Sequence, residues 1–298
     1  MKLALKALAA ACLATAGAPA FADAYGSATF GNISYTLIDL NPNDGVAASI
    51  SFLPSSKKYA SGAAIGGEVQ TGVINGDEPG NQDTIFLTMG AWQNSSISRT
   101  EHTDLSSVSA SVTGSSTGVG FSALSVSGSA LSSAARSSDF LGHADVPSNG
   151  GLDFILSANT EVVFSAYASM SANTTIGHVH GSPDGESASA LMTLEAAGLG
   201  ADGVTVLDDR EQHGVSVAYT LGHPAGGGTD SWSGLLSSSF SNVGNHATAG
   251  QFYAGATISG QSILAAVPEP STYGMLLGGM TLLAALARRN RTAQRRDQ

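Results

Sequence analysis

Asp39, Asn41, Asn43 and Asp44 place four oxygen-bearing side chains just before Gly45. Calcium takes 6–8 hard oxygen ligands, and closely spaced Asp and Asn side chains can supply them. An EF-hand loop would place glycine directly after the third ligand, and here Asp44 intrudes. It would also place a glutamate six residues after Gly45, and that position is Ser51. A hairpin turn through Asn43-Asp44-Gly45 explains the same residues. Asp77, Glu78, Asn81 and Asp83 pose the same choice at a second acidic turn. His178 and His180 share one face if their segment is a strand. With Asp184 or Glu186 they could ligate zinc, although histidines two apart also occur on solvent faces. His102, His143, His213, His223 and His246 show no ligand spacing, and several have the Gly, Asp or Pro neighbours of loops. No G-x-S-x-G nucleophile elbow is expected, so no Ser/His/Asp triad can be singled out among the many serines. Asp208, Asp209 and Glu211 read as a solvated turn. The chain is therefore expected to be non-enzymatic and to need no cofactor, with calcium as the one ion its turns could hold.

Two binding readings remain. A polysaccharide-binding protein needs exposed aromatic rings, for which Trp92, Trp232, Tyr59 and Tyr253 are the candidates. Ice binding needs a flat array of regularly spaced threonines. Thr174-Thr175 and the isolated threonines do not form one.

The elements that must carry these residues read as strands. Ser106–Ala130 alternates Val108, Ala110, Val112 and later Leu124 and Val126 with Ser and Gly. That is period two, with one apolar and one polar face. Residues 29–40, 47–53, 83–89, 153–170, 187–196, 214–221 and 251–265 behave similarly. Turn-rich stretches separate them, among them Asn41–Gly45, Ser148–Gly151 and Gly181–Gly185. Leu191–Leu199 could instead form a turn or two of helix, and Ser106–Ser138 could be a flexible linker. The expected fold is all-β, an antiparallel, jelly-roll-like β-sandwich. Aromatic residues are 6% of the chain, so the core must rest on Val, Ile, Leu and Ala.

Charge narrows the partners. In the body, Lys57, Lys58, Arg99, Arg136 and Arg210 stand against 21 acids, the 23 of the whole chain less Glu269 and Asp297. The body is thus −16, against −11 for the whole chain. Such a body repels phosphate backbones, so nucleic acid is not an expected partner.

The two ends differ from the body. Lys2 and Lys6 precede an apolar run from Leu8 to Ala18, then small residues. This is the build of a cleavable signal peptide, with cleavage after Ala22, or after Ala20 or Ala24. Cys12 is the only cysteine, so the mature chain would hold no disulfide. At the other end, Val267-Pro-Glu-Pro-Ser-Thr leads into an uncharged stretch, Tyr273–Ala287, then Arg288, Arg289 and Arg291. As a helix the stretch covers roughly 22 Å, short of a hydrocarbon core of ~30 Å. Arginines stay on the cytoplasmic side, which would place the body outside the inner membrane.

This tail resembles the PEP-CTERM sorting signal of exported proteins in Gram-negative bacteria that make extracellular polysaccharide. Similar tails are also grouped under an ice-binding heading. The resemblance implies recognition by an exosortase, cleavage near Pro268, Glu269 and Pro270, transient passage through the inner membrane, and delivery to the cell surface or matrix. Exopolysaccharide is a possible partner in that setting. A plain membrane anchor is the alternative. Residues 29–53 also resemble the opening of many proteins with this tail, which share no established activity. The expected organisation is a signal peptide (1–22), a β-rich exported domain (23–266), a sorting signal (267–291) and a cytoplasmic polar tail (292–298). The leading expectation is a surface or matrix structural or interaction protein; the alternative is a polysaccharide-binding or polysaccharide-processing one.

Overall fold

The computed structural model describes residues 23–53, 58–59, 62–63, 66–76, 82–92, 96–132, 136–146, 152–175, 185–218, 227–263 and 280. Ala22–Leu264 forms one compact unit. The two ends, Met1–Phe21 with Ala265–Gln298, group separately, and of these only Met280 is described, in helical conformation. Among the described residues no helix is long and apolar enough to cross a membrane.

The body is a two-sheet antiparallel β-sandwich. Its strands are β1 (Asp23–Asp39), β2 (Ile50–Phe52), β3 (Lys58–Tyr59), β4 (Gly62–Ala63), β5 (Gly66–Gly76), β6 (Gln82–Trp92), β7 (Ile97–His102), β8 (Ser106–Gly114), β9 (Phe121–Leu131), β10 (Ser137–Val146), β11 (Leu152–Leu156), β12 (Thr160–Thr174), β13 (Ser187–Leu199), β14 (Val206–Ala218), β15 (Gly228–Asn242) and β16 (Thr248–Ser262). The first sheet runs β15-β12-β1-β9-β8-β7. The second runs β14-β13-β16-β10-β5-β6, with β11 pairing β16 and β2 at one end. β3 and β4 pair with each other.

Side-chain alternation sets this architecture. Along β8 and β9 every second residue is buried, including Val108, Ala110, Val112, Leu124 and Val126. Both strands lie inside the first sheet, so Ser106–Ser138 is no linker. β13 also alternates, with Ala190, Met192, Leu194 and Ala196 buried. That spacing of two rules out a helical turn over Leu191–Leu199, which needs apolar residues three and four apart.

A bulge re-aims β1. The register shifts between Gly31 and Ser34, and Asn32 takes a φ of 55°, a value Asn tolerates better than most residues. Before the bulge Ala24, Ala28 and Phe30 point inward; after it Ile33 does, with Tyr35 and Leu37 packed against the core. One extra residue therefore switches which parity faces the core.

The core is graded along the sandwich. At one end Phe164 stacks on Phe252 at 4.3 Å, with Phe154 5.7 Å and Tyr35 6.2 Å away. At the other, Ala24, Ala130, Ala172 and Ala188 are buried. There Phe140 fills the space left by Gly26 and Gly128 of the facing sheet and Gly260 of the next strand. Small side chains bury little apolar area each, so the few aromatic rings carry much of the packing.

Asn242, buried at the end of β15, ties loops to the core. Its Nδ2 donates to the carbonyls of Leu156 (3.3 Å), Ser157 (2.9 Å) and His246 (2.8 Å), and its Oδ1 accepts from the Gly244 N–H (3.0 Å). Asn242→Ala removes these four bonds from buried and half-buried backbone groups. It is expected to lower stability by about 1–3 kcal/mol, read as a lower urea midpoint at unchanged m-value.

Candidate functional site: the hydroxyl face of the first sheet

The outer face of the first sheet is paved with small hydroxyl side chains. Ser231, Ser171, Ser27, Ser127, Ser109 and Thr100 form one row across all six strands. Ser233, Ser169, Thr29, Ser125, Ser111 and Ser98 form the next. Strand geometry spaces neighbours at ~4.8 Å across the sheet and roughly 6.8 Å along it. Many hydroxyls bond each other: Ser27 to Ser171 (2.9 Å), Ser107 to Ser129 (2.9 Å), Thr29 to Ser125 (3.3 Å) and Thr100 to Ser109 (3.1 Å). Neither row carries a formal charge, although the body is −16. Two exposed rings flank the rows. Tyr25 is 39% exposed and Tyr167 is 63% exposed. Beside Tyr167 lies a shallow cleft of about 490 Å³ floored by Gly31 and Gly234. A regular hydroxyl array is thus present, built mainly of serine rather than threonine. Sequence inspection misses it because its rows are assembled from strands distant in the chain.

Of the aromatic candidates, Trp232 stands on β15 and Tyr253 on β16. Trp232 is half-buried and stacks on His213, ring centroids 4.0 Å apart, while its other ring atoms crowd Gly234. It is no open platform. Tyr253 lies across Gly255 on the outer face of the second sheet. Burial first, then the charge of Asp145, pushes its hydroxyl up to about 12, so it stays protonated at neutral pH. Glu195 flanks Tyr253 and faces Arg210 at 3.8 Å, and Asp145 faces His143 at 3.4 Å. The ring thus stands in an ion-paired patch. Trp92 ends β6 and Tyr59 ends β3.

The acidic candidates mostly serve the backbone. Asp39 accepts from the Asn41 N–H (3.0 Å), and Asp44 accepts from Val46 N–H (2.7 Å) and Asn159 Nδ2 (2.7 Å). The Val46 and Asn159 bonds hold Asp44 below the usual carboxylate range. Gly45 takes the positive φ of 75° that the turn requires. Among the described residues no group of three or more His, Cys, Asp or Glu is arranged to hold a metal ion.

Asp208, Asp209 and Glu211 lie in β14, so the expected solvated turn is a strand. Asp209 and Glu211 accept backbone N–H groups of Ser239 and Ser237 on β15, and Asp230 accepts that of Ser216 (3.0 Å). Both strands are sheet edges, whose spare donors need partners. Of the described histidines, His102, His143 and His213 sit in β7, β10 and β14 rather than in loops, and His246 lies in the connection between β15 and β16. Contrary to the expectation that no such motif is present, Gly114–Gly118 spells G-x-S-x-G. It joins β8 to β9 rather than a strand to a helix, so it is not a nucleophile elbow.

His178, His180 and Asp184, and Asp77, Glu78 and Asn81, lie outside the described residues. So do Ala20, Ala22, Pro268, Glu269, Pro270, Arg288, Arg289 and Arg291, together with the expected spanning stretch apart from Met280. Glu186 is described and fully buried, accepting from Ser262 Oγ at 3.1 Å.

Comparison with known proteins bears on the tail. Residues 266–291 match the PEP-CTERM protein-sorting motif. No curated protein matches the chain. One solved structure, described as "Structural basis for the promiscuous specificity of the carbohydrate-binding modules from the beta-sandwich super family", aligns at 7% identity over 77% of this chain and 95% of its own, with a TM-score of 0.12. A likeness that low carries no argument about ligand. The matched motif implies exosortase-dependent sorting to the cell surface of a Gram-negative bacterium.

Proposed function

We propose that this chain is a non-enzymatic surface or extracellular-matrix protein, whose β-sandwich body acts outside the cell as a structural or interaction module. The observation that carries the reading is the sorting motif at residues 266–291. The signal peptide exports the chain. The apolar stretch Tyr273–Ala287 holds it in the inner membrane, and Arg288, Arg289 and Arg291 keep the tail's end on the cytoplasmic side. Pro268 and Pro270 disfavour helix, so Glu269 is presented in an extended segment that a peptidase can grip. An exosortase cuts there and releases the body.

The body suits that destination. Its excess of acids favours solubility. Asp209, Glu211 and Asp230 occupy edge N–H groups that would otherwise invite strand pairing with another chain.

Deleting the exosortase of the host tests the reading. Full-length protein should then accumulate in the membrane fraction and disappear from the surface. Unchanged surface display in the deletion strain would contradict it.

A further inference from the structure

We infer that the outer face of the first sheet binds an extended, uncharged polysaccharide, with Tyr25 and Tyr167 as its two stacking platforms. This goes beyond sorting and does not depend on it.

Three observations converge on that chemistry. The first is charge. The two hydroxyl rows hold no Asp, Glu, Lys or Arg in a body of net charge −16. The carboxylates of this face on β1 and β12, Asp23 and Glu161, lie beyond Tyr25 and Tyr167 rather than between them, so a neutral partner fits the stretch between the rings.

The second is the rings. Tyr25 and Tyr167 are exposed on the same face. Asn173 lies opposite Tyr25 on β12, and Tyr167 is six residues further along that strand. At ~3.4 Å per residue the rings stand about 20 Å apart, a span of several sugar units. Rings such as these offer a flat apolar face for stacking with a hydroxyl at the rim. A side chain added at Gly31 would meet nothing within 4 Å, so the floor beside Tyr167 is open.

The third is the hydroxyls between the rings. Ser27, Thr29, Ser169 and Ser171 lie along the path from Tyr25 to Tyr167. Hydrogen bonds between Ser27 and Ser171 and between Thr29 and Ser125 hold the directions of three of them. Each pair still has donor and acceptor capacity to offer. A pre-ordered array loses less entropy on binding than free side chains would.

The full chain, purified in mild detergent, tests this whether or not sorting operates. The probes are amorphous cellulose, a neutral glucan, and alginate, a polyuronate. Wild type should be retained on cellulose and not on alginate, with little dependence on salt. Tyr167→Ala and Tyr25→Ala should each weaken retention roughly five- to tenfold. Ser127→Glu, which puts a charge into the hydroxyl row, should weaken it too. Leu191→Ala, on the outer face of the other sheet, should leave it unchanged. Thermal unfolding confirms that each variant is folded. No retention on cellulose overturns the proposal, as does retention unaffected by the tyrosine variants. Sedimentation that shows a dimer dissolved by Ser127→Glu, without glucan binding, overturns it in favour of self-association.

Discussion

Phe164→Ala is expected to lower stability by about 3–5 kcal/mol, the top of the range for a single core truncation. Phe164 is fully buried on β12. Its ring stacks on Phe252 of the opposite sheet at 4.3 Å and touches Phe154 and Tyr35 as well. The pair therefore joins the two sheets at the aromatic end of the core. Removing one ring loses its burial and leaves a cavity that rigid strands cannot close. Its large neighbours Phe154 and Tyr35 are themselves held by further ring contacts with Phe52 and Phe240, so neither is free to fill the space. Urea unfolding should show a much lower midpoint. A loss below about 1 kcal/mol would mean that the two sheets are not packed face to face as described.

Gly128→Val is expected to destabilise for the opposite reason. A Cβ at Gly128 would stand 2.5 Å from Phe140 Cδ2. The ring has little room to retreat, because it already lies in the space where a Cβ at Gly260, on the next strand, would stand, and close to Gly26 as well. Overpacking of this kind costs about 1–3 kcal/mol. The double variant Gly128→Val with Phe140→Leu should recover part of that loss, since Leu leaves room for the new methyls. Additive losses in this cycle would show that the two positions do not meet.

The fold is legible where side chains alternate in size and polarity. Val108, Ala110 and Val112 declare their strand without help. The bulge in β1 goes unread, since residues 29–40 read as one alternating strand although the inward series moves from Phe30 to Ile33 across Gly31-Asn32. Legibility fails where inward positions are small or polar. In β15 the inward series is Trp232, Gly234, Leu236, Ser238, Phe240, so apolar residues recur every fourth position and the period-two signal fades. β14 misleads for a related reason. As an edge strand it turns Asp209 and Glu211 toward its neighbour, and acids in a row look like a turn.

The hydroxyl face is illegible for a different reason. Ser27 meets Ser171 and Ser127, residues far apart in sequence, and no local pattern reports such a register. The tail shows the reverse case. Its order of Pro-Glu-Pro, apolar stretch and arginines is read from the chain alone, because a sorting signal must be recognised as a linear segment.

The central claim is that residues 266–291 direct processing and release. Its most direct test is the intact mass of the protein from the medium and the membrane fraction of its own host, wild type beside Glu269→Ala. The wild type is expected in the medium without either end, its C-terminus near Pro268–Pro270. Glu269→Ala is expected in the membrane with its tail intact. Wild-type protein that keeps Arg288 through Gln298 and stays in the membrane would contradict the account and make the tail an anchor.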